Sequence, residues 1–324
     1  MFYRGKRVLV TGGAGFVGSH LVEELLRQDA FVRIPVHQRS PVIHDHRIEI
    51  VKADLTRPEE CLTVMAGMDY VVHAAGAVGA AGITPAHQLE GITLNLLLTT
   101  RVLTAAWNAG VSRLLLFSSS TVYPAFNRPV KEEETWDGPP HPSYMGYGWM
   151  KRYTEKLGEF VVSNSSLQIA IVRPTAVYGR RDNFDPRMGH VISALILKAL
   201  RKENPFFVWG TGDEVRDFLH ISDLARGSLF ALEKYAVCDP INIGCGKGVT
   251  IRQIVQAVLK ATGHETAEVV FDASKPTTIP FRAVDTSKAR EILGFMPSIS
   301  LEAGLKDTVK WYCTAGPGKA VHGR

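Results

Sequence analysis

The segment that decides the fold is KRVLVTGGAGFVGSH, residues 6–20. It begins with an apolar, β-branched run typical of a buried strand, and the following SHLVEELLR (19–27) has its apolar residues at helical spacing. Gly12, Gly15 and Gly18 lie between the two. Glycine in such a turn lets the backbone approach a pyrophosphate closely, while the N-terminus of the helix faces the anion. The segment therefore predicts a dinucleotide-binding turn, although a strand-to-helix turn that needs glycine only for its geometry would read the same.

Strand-like and helix-like segments continue to alternate up to about residue 178. Apolar runs such as FVRIPV (31–36), DYVVHAAG (69–76), SRLLLFSS (112–119) and LQIAIVRP (167–174) are separated by helical stretches, the longest being GITLNLLLTTRVLTAAWNAG (91–110). Apolar strands separated by helices favour a parallel sheet that is covered on both faces. We therefore expect an α/β fold with a Rossmann-type, doubly wound parallel sheet in residues 1–178, to which parts of the later chain return.

The regular alternation fades after residue 178, which suggests a smaller, mixed C-terminal substrate domain in residues 179–314. Its helices are expected in HVISALILKALRK (190–202), TIRQIVQAVLKATG (250–263) and SLEAGLKDTVKWYC (300–313). Residues 315–324 lack periodicity and are predicted to form a flexible tail.

Composition excludes several classes of protein. The 324 residues are 45% hydrophobic and 21% charged, with a net charge of +5 and no Lys/Arg run longer than two, which argues against nucleic acid as a partner. The four cysteines form no C-x-x-C pair, so neither a disulfide framework nor a metal site is expected. No apolar signal region precedes the first strand, and no apolar run approaches the ~20 residues of a membrane span. We expect a cytoplasmic protein.

The residues after the second strand bear on the choice of dinucleotide. NAD enzymes usually have an acidic side chain there for the ribose hydroxyls, but FVRIPVHQRSP (31–41) contains none, and the first carboxylate is Asp45. Arg39 could instead pair with a 2′-phosphate, or it could be a solvated loop residue. These residues favour NADP over NAD. Asp54, after the third strand, is a candidate for the adenine amino group and equally for a helix N-terminal cap.

A serine and a Tyr-x-x-x-Lys motif suggest the chemistry. Ser119 ends a strand in FSSSTVYP (117–124), and SYMGYGWMK (143–151) contains Tyr144, Tyr147 and Lys151. A tyrosine has a free pKa of about 10, and an ammonium group one helical turn away favours its phenolate form. Only Tyr147 has the four-residue spacing from Lys151, so we expect Tyr147 to exchange a proton with a substrate oxygen that Ser119 orients. Tyr144 is expected to be a packing residue at the helix entry.

TGGAGFVG, VVHAAG, FSSSTVYP, YGWMK, RPTAVYG and VRDFLHISD together resemble the extended short-chain dehydrogenases/reductases, the NAD-dependent epimerase/dehydratase family that modifies nucleotide sugars. The resemblance covers residues 5–313. The second half is most similar to the GDP-L-fucose synthases, which epimerise and reduce GDP-4-keto-6-deoxymannose with NADPH. The matching stretches include RRDNFDPRMGHVISAL, VWGTGDEVRDFLH and VVFDASKP. The resemblance implies a GDP-linked nucleotide-sugar substrate and a homodimer formed through helices that flank the sheet.

The motifs and the resemblance together provide three sets of candidate residues, and no metal ligand. The catalytic set is Ser119, Tyr147, Lys151 and His190, the last matching the family's catalytic acid. Cofactor contacts are expected from Gly12, Gly15, Phe16, Val17, Gly18, Arg39, Asp54, Leu55, Ala74, Ala75, Gly76, Tyr147, Lys151, Pro174 and Val177. Substrate contacts are implied for Ser119, Asn183, Lys198, Trp209, Arg216 and Arg282, where two arginines could hold a pyrophosphate and a tryptophan could pack on a base or sugar.

One position departs from the family pattern. The GDP-L-fucose synthases have a cysteine two residues after the serine as the base of epimerisation, whereas this chain has Thr121, whose hydroxyl is far less acidic than a thiol. The departure argues against the 3,5-epimerisation, while reduction needs only the triad and the cofactor. The 4,6-dehydratases have an Asp-Glu pair where this chain has Ser120-Thr121, so they fit poorly.

Three functions remain. We expect an NADP(H)-dependent oxidoreductase that reduces a GDP-4-keto-6-deoxy-hexose at C4. The alternative is an epimerase of UDP- or GDP-hexoses that keeps its NAD(P) bound. The third is a nucleotide-sensing protein with an inactive site, against which the presence of Ser119, Tyr147 and Lys151 argues.

Overall fold

The computed structural model describes residues 1–77, 85–185, 189–275 and 277–315. The predicted tail falls almost entirely on residues 316–324, which lie outside the described residues, whereas Ala315 ends the last helix.

The described residues form strands and helices in alternation. The strands are β1 Arg7–Thr11, β2 Phe31–Val36, β3 Ile48–Lys52, β4 Tyr70–His73, β5 Arg113–Phe117, β6 Gln168–Pro174, β7 Ala176–Tyr178, β8 Phe206–Trp209, β9 Val215–Arg216, β10 Phe218–His220, β11 Ile241–Ile243, β12 Val249–Thr250, β13 Val269–Asp272 and β14 Phe281–Arg282. The α-helices are α1 Phe16–Arg27, α2 Pro58–Met65, α3 Pro85–Asn108, α4 Met145–Asn164, α5 Val191–Leu200, α6 Ile221–Lys234, α7 Ile251–Thr262 and α8 Leu301–Ala315.

Seven of these strands form one parallel sheet in the order β11-β6-β5-β4-β1-β2-β3. The strand order reverses between β1 and β4, because the chain proceeds from β1 towards β3 on one side and from β4 towards β11 on the other. Ligands of open α/β sheets bind outside the carboxyl ends of the strands at such a switch point. The predicted Rossmann-type fold class is confirmed.

Helices cover both faces of this sheet. On one face, α1 and α6 bury side chains such as Leu21, Leu25 and Leu229 against the strands. On the other, α2, α3 and α4 do the same with residues that include Val64 and Val102. The inner strands read as nearly continuous apolar runs because they are buried from both sides, whereas the edge strand β3 has no fully buried residue.

Part of the chain beyond residue 178 returns to the main sheet, since β11 pairs with β6 and α6 packs on β5 and β6. The rest forms small sheets, β7 with β10, β8 with β13, and β9 between β12 and β14. A separate core with Ile196, Phe206, Ile254 and Leu305 joins α5, α7 and α8. The domain boundary at residue 178 stays a prediction. None of the helices in the described residues is long and apolar enough to cross a membrane.

Candidate active site

The glycine turn at the end of β1 is packed too closely for side chains. Gly12 has φ +70°, and a Cβ there would lie 2.8 Å from the backbone of Ala74 and Ala75. A Cβ on Gly18 would overlap the backbone of Gly12. Gly15 is the N-cap of α1 and donates its N–H to the Gly12 carbonyl over 2.8 Å.

The predicted contacts Phe16 and Val17 form the first turn of α1, together with Gly18. That turn carries no acidic residue, so the positive end of the helix is open to an anion. The close backbone packing and the open helix end fit the pyrophosphate of a dinucleotide.

The segment Ala74–Gly76 follows β4 and packs against the glycine turn at the switch point. Thr11 Oγ1 accepts a hydrogen bond from the Ala75 N–H (3.2 Å) and lies 2.9 Å from His73 Nδ1, while His73 Nε2 lies 3.2 Å from Thr99 Oγ1. Burial, with a smaller contribution from the charge of Lys151, lowers the pKa of His73 to about 3, so its ring is neutral. These hydrogen bonds join the ends of β1 and β4 to α3.

Sequence reasoning did not assign Thr11, His73 or Thr99 to the site. The histidine of VVHAAG was visible, but nothing in the sequence indicated its partners, which are 62 and 26 residues away.

The two side chains expected near the adenosine differ in their surroundings. Arg39 is exposed and forms no hydrogen bond or ion pair within the described parts of the chain. Asp54 accepts hydrogen bonds from the N–H and the hydroxyl of Thr56 (3.0 and 2.8 Å), which lower the pKa of its carboxyl. Arg57, not Asp54, is the N-cap of α2. Leu55, beside Asp54, is buried.

The predicted triad comes together around the end of β5. Tyr147 and Lys151 lie one turn apart on α4, with Lys151 Nζ 5.6 Å from the centre of the Tyr147 ring. Lys151 also donates to the carbonyl of Phe117 over 2.7 Å. Ser119, two residues further on, caps a short 3₁₀ segment and accepts from the Thr121 N–H over 3.2 Å. Lys151 therefore connects α4, which also carries Tyr147, to the end of β5, which Ser119 follows.

Tyr144 lies outside the regular helix, as its N-cap, and cannot share a helical face with Lys151. Its ring instead packs against the guanidinium of Arg282, 4.8 Å away.

The last two predicted cofactor contacts lie at the carboxyl end of β6 and in the short strand that follows it. Pro174 ends β6 opposite Ile243 of β11, and Val177 is in β7, opposite Leu219 of β10.

A buried ion pair holds the catalytic helix against the sheet. Arg173, on β6, donates two hydrogen bonds to the Glu155 carboxylate on α4 (2.8 and 2.7 Å). It also donates to the hydroxyls of Tyr123 (3.0 Å) and Thr135 (2.6 Å). Both charged side chains are at most 4% exposed. Sequence reasoning missed this pair, which joins residues 18 apart in different elements.

Arg216 and Arg282 lie side by side on the neighbouring parallel strands β9 and β14. Arg216 donates to the Thr278 hydroxyl over 3.2 Å, and within the described residues neither arginine forms an ion pair with a carboxylate. The Nη1 atom of Arg282 is buried and has no hydrogen-bond partner there. Burial, followed by the charge of Arg282, lowers the pKa of Arg216. Two adjacent guanidinium groups without an ion-pair partner among the described residues suit an anion. Their contact with a pyrophosphate stays a prediction.

A cavity connects Arg282 with the segment Ser120–Thr121, which follows Ser119. Thr121, His141, Tyr144 and Arg282 are among its lining residues. Thr121 Oγ1 is buried and has no hydrogen-bond partner among the described residues, so the hydroxyl is available to a ligand. His141 was not anticipated from the sequence.

None of the four cysteines is among the residues that line this cavity. Burial raises the pKa of Cys61 to about 11 and the pKa values of Cys238 and Cys245 to about 12, while Cys313 is exposed on α8. No thiol among them therefore replaces the base that Thr121 lacks.

His190 is the N-cap of α5 and is held by a carboxylate that sequence reasoning did not single out. Its Nδ1 lies 2.7 Å from Asp182 Oδ1. Burial lowers the pKa of His190, but the adjacent Asp182 carboxylate raises it by more, so that the net shift is upward.

The remaining predicted substrate residues are spread along the same part of the chain. Asn183 adjoins Asp182 and accepts from the Asp185 N–H over 2.9 Å. Lys198, on α5, donates to the Phe207 carbonyl over 2.9 Å, and Trp209 is exposed at the end of β8. Within the described residues, Lys198 forms no hydrogen bond with either arginine of the pair.

No group of three or more His, Cys, Asp or Glu side chains that could hold a metal ion occurs in the described ranges.

The sequence and the fold are similar to those of known proteins. The sequence model of the NAD-dependent epimerase/dehydratase family matches residues 8–244. A probable GDP-L-fucose synthase 1 from Oryza sativa subsp. japonica is 33% identical over 95% of this chain and 92% of that protein. A dTDP-4-dehydro-6-deoxy-D-allose reductase from a Streptomyces species is 30% identical over 96% of this chain and 97% of that protein.

Among solved structures, UDP-glucose 4-epimerase from Thermotoga maritima has a TM-score of 0.84 at 28% identity, covering 95% of this chain and 99% of that one. The range matched by the family model, residues 8–244, includes both the glycine turn and the Tyr147 helix.

Proposed function

This chain belongs to the NAD-dependent epimerase/dehydratase family, and from that premise we propose that it is an NADPH-dependent reductase of a GDP-4-keto-6-deoxy-hexose. Membership makes the chain an NAD(P)-dependent enzyme that acts on nucleotide sugars. The finer proposal rests on one observation above the others. Lys151, one turn from Tyr147 on α4, is hydrogen-bonded to the end of β5, and the segment that follows this strand lines a cavity together with Arg282.

The residues of the site support proton transfer at a carbonyl oxygen. Tyr147 donates its proton to O4 of the keto sugar, and the Lys151 ammonium stabilises the phenolate that remains. Ser119 orients the same oxygen, and Arg216 and Arg282 bind the diphosphate. When bound, the nicotinamide supplies the hydride that reduces C4.

Thr121 supports reduction without epimerisation. Its hydroxyl is in the cavity, where a base for a sugar C–H bond would be needed, but a threonine hydroxyl is too weakly acidic to serve as one. The similarity to a protein whose name is that of a keto-sugar reductase agrees with this proposal.

NADPH is proposed as the reductant because of the segment after β2. Arg39 is exposed and unpaired within the described residues, which suits a 2′-phosphate, and residues 37–44 contain no carboxylate for the ribose hydroxyls. GDP is proposed from the names of relatives such as the rice protein.

A direct assay tests the proposed reaction. Purified protein is incubated with GDP-4-keto-6-deoxymannose and NADPH, and the product is identified by NMR. We expect one NADPH to be oxidised per keto group, with the configuration at C3 and C5 unchanged and NADH used more slowly. Inverted carbons would instead make the protein a fucose synthase.

The alternative is a nucleotide-sugar epimerase, which the similarity to UDP-glucose 4-epimerase favours. No NADPH oxidation, together with interconversion of UDP- or GDP-hexoses, would establish that function in place of the reductase.

We also infer that the chain forms a homodimer through α3 and α4. Met145, Trp149, Tyr153 and Phe160 lie along one stripe of α4 and are 44–59% exposed. Four large apolar side chains on one helix face, next to exposed leucines on α3, suit a second copy of the chain better than water.

A further inference from the structure

His141 lines the cavity but has no role in the proposed reduction. It caps the short 3₁₀ segment Pro142–Tyr144 that leads into α4, and its Nδ1 accepts a hydrogen bond from the Ser143 N–H over 3.2 Å. A ring nitrogen that accepts a hydrogen bond carries no proton, so the proton of the neutral imidazole is on Nε2. Within the described residues Nε2 forms no hydrogen bond, and it is the polar atom of the ring that is left for a ligand.

Close packing fixes His141 beside both Thr121 and the first turn of α4. Gly148 lies in that turn, and a Cβ there would be 2.6 Å from the Cβ of Pro140 and from the Thr121 carbonyl oxygen. Pro140 directly precedes His141 in the chain, and the His141 N–H donates to the Tyr123 carbonyl over 3.4 Å. The backbone that carries the imidazole therefore has a defined position next to the catalytic helix.

The 3₁₀ segment is also connected to the arginine pair. The Ser143 hydroxyl donates to the Thr278 carbonyl over 2.8 Å, and the Thr278 hydroxyl accepts from Arg216 over 3.2 Å. Tyr144 ends the segment and packs its ring on the guanidinium of Arg282, whose Cζ lies 4.8 Å from the ring centre. The segment therefore connects α4 with the groups proposed to bind the diphosphate.

The cavity has the composition of a small-molecule site. Two buried polar atoms of its lining residues, Thr121 Oγ1 and Arg282 Nη1, have no hydrogen-bond partner among the described residues. Buried polar atoms are nearly always paired, because an unpaired one is costly, and a ligand that bonds to them removes this cost. Small-molecule sites typically combine a few polar groups with apolar walls. The apolar side chains here are those of Phe126, Val130, Ile279 and Phe281.

A nucleotide sugar that binds as proposed has its hexose in this cavity. The arginines hold the diphosphate on C1, and Ser119 orients the oxygen on C4, so the sugar ring spans the space between them. In a 4-keto-6-deoxy-hexose, these contacts leave the ring oxygen and the hydroxyls at C2 and C3 without a partner. The hydroxyls are the groups that can accept a hydrogen bond from the cavity wall and also donate one.

We propose that His141 is a substrate-binding residue that recognises the hexose, its Nε2–H donating a hydrogen bond to the hydroxyl at C2 or C3. The inference rests on the proposed nucleotide-sugar substrate. It adds a contact to the sugar to the contacts proposed for the diphosphate and for the C4 oxygen.

Two substitutions separate this role from a structural one. His141→Asn keeps an acceptor near the position of Nδ1 for the Ser143 N–H, since asparagine is a favourable cap, but it has no group at the position of Nε2. His141→Gln has an amide N–H near the position of Nε2 and can donate the proposed hydrogen bond. Asparagine should be the better replacement for a purely structural histidine, and glutamine for one that binds the sugar.

Calorimetry with the full chain tests binding without turnover. The probes are GDP-mannose and GDP, and UDP-glucose and UDP are the second pair. We expect His141→Asn to weaken binding of the nucleotide sugar about three- to tenfold, as for the loss of one hydrogen bond, and to leave the affinity for the nucleoside diphosphate unchanged. His141→Gln should stay within about twofold of wild type for both ligands.

Three results of this calorimetry would overturn the proposal. The first is nucleotide-sugar binding by His141→Asn that equals or exceeds that of His141→Gln. The second is an equal loss of affinity for the nucleoside diphosphate, which would place the contact outside the sugar. The third is wild-type protein that binds neither nucleotide sugar.

Deoxy analogues identify the hydroxyl. GDP-2-deoxymannose and GDP-3-deoxymannose are titrated into wild type and His141→Asn. The analogue that lacks the contacted hydroxyl should bind both proteins equally well, whereas the other should still distinguish them about three- to tenfold. If both analogues distinguished the two proteins as GDP-mannose does, neither hydroxyl would be the partner and the proposal would be wrong.

Kinetics separates a failure of this inference from a failure of the proposed function. With GDP-4-keto-6-deoxymannose and NADPH, His141→Asn should raise KM about three- to tenfold and leave kcat within about twofold, because the contact is made equally in the ground state and the transition state. NADPH oxidation by wild type, with a lower kcat at unchanged KM in His141→Asn, would leave the reductase standing and overturn the role of His141. No oxidation by wild type, together with the calorimetric difference between the two variants, would do the reverse.

Discussion

At the scale of single residues, the Thr121 hydroxyl and the Tyr147 phenol are expected to control different steps of the reaction. Thr121 is in the cavity with an unpaired Oγ1, and Tyr147 lies one helical turn from an ammonium group. The first should decide whether a sugar carbon is inverted, and the second whether the ketone is reduced. Each can be tested by a change of a few atoms.

Replacing Thr121 with cysteine should add epimerase activity. A thiol with a free pKa near 8.5 can form a thiolate at neutral pH, unlike a hydroxyl, and the side chain at this position lines the cavity. We expect Thr121→Cys to keep its rate of NADPH oxidation within about threefold and to yield product inverted at C3 or C5, seen by NMR. Thr121→Ser is the control and should give no inverted product. Identical products from both variants would show that this position does not control inversion.

Replacing Tyr147 with phenylalanine should abolish reduction without affecting cofactor binding. Loss of the proton donor is expected to lower kcat at least ~100-fold, while NADPH affinity, measured by fluorescence titration, stays near the wild-type value because the glycine turn is unchanged. Tyr144→Phe is the matched control, since its ring can still pack on Arg282. If Tyr144→Phe lost more activity than Tyr147→Phe, the assignment would be wrong.

Sequence reasoning found those residues whose chemistry depends on local spacing. Tyr147 and Lys151 are four residues apart on one helix, so their contact followed from helix geometry. Asp182 and the partners of His73 were missed, because hydrogen bonds between separate elements depend on how the chain returns on itself. No local pattern encodes such pairs.

At the scale of elements, the position of α4 depends on the Glu155–Arg173 pair. The pair joins the helix of Tyr147 and Lys151 to β6, and it is almost fully buried. Burying charges stabilises little by itself, but removing one partner leaves an uncompensated charge in the interior. The elements that position the site are therefore sensitive to Glu155, which lies about one helical turn beyond Lys151.

Glu155→Gln should consequently destabilise the fold and disturb the site. We expect the free energy of unfolding, from urea titration, to fall by about 3–5 kcal/mol, with loss of reductase activity in the folded fraction. Glu159→Gln on the same helix removes an exposed pair with Lys156 and should change little. Equal unfolding midpoints for Glu155→Gln and Glu159→Gln would contradict a supporting role for the buried pair.

The longer helices and strands could be predicted from the sequence, whereas the shortest strands could not. The strand at FVRIPV agrees with β2, and the helix expected at 250–263 agrees with α7 to within one residue at each end. The sequence did not predict two-residue strands such as β9 and β14, because so short a segment shows no periodicity of apolar residues. These strands form by pairing with each other. These strands carry Arg216 and Arg282, so the geometry of the arginine pair could not be derived from the sequence.

At the scale of the whole molecule, buried neutral histidines make stability depend on pH. Burial lowers the pKa of His73 to about 3 and that of His20 to about 4. The unfolded chain binds these protons near pH 6.5 and the folded chain does not, so stability is present above pH 6.5 and is lost as the pH falls. Acidification should therefore favour unfolding.

For His73 the expected loss is about 1.4 kcal/mol for each pH unit below 6.5. Urea unfolding of wild type and His73→Gln between pH 7.5 and 5.5 measures it, and the variant should have the shallower dependence. Comparing variants removes the contribution of Asp217, whose carboxyl pKa is raised by burial to about 6 and which acts in the opposite direction. His37→Gln, at an exposed site, should keep the wild-type dependence. Parallel curves for His73→Gln and wild type would exclude this role of His73.

The proposed dimer belongs to the same scale, because it would place two catalytic helices at one interface. Tyr153 and Phe160, on the apolar stripe of α4, are 58% and 59% exposed, and the same helix carries Tyr147. A buried carboxylate without a partner is costly, so Phe160→Glu should shift the protein from dimer to monomer in analytical ultracentrifugation. Phe207→Glu, at an equally exposed phenylalanine on β8, is the control and should leave the mass unchanged. A wild-type monomer, or a dimer that Phe207→Glu rather than Phe160→Glu dissociates, would move the interface away from α4. If the dimer forms as proposed, its dissociation should also lower reductase activity, since the exposed side of α4 would lose the packing that holds Tyr147 and Lys151 in place.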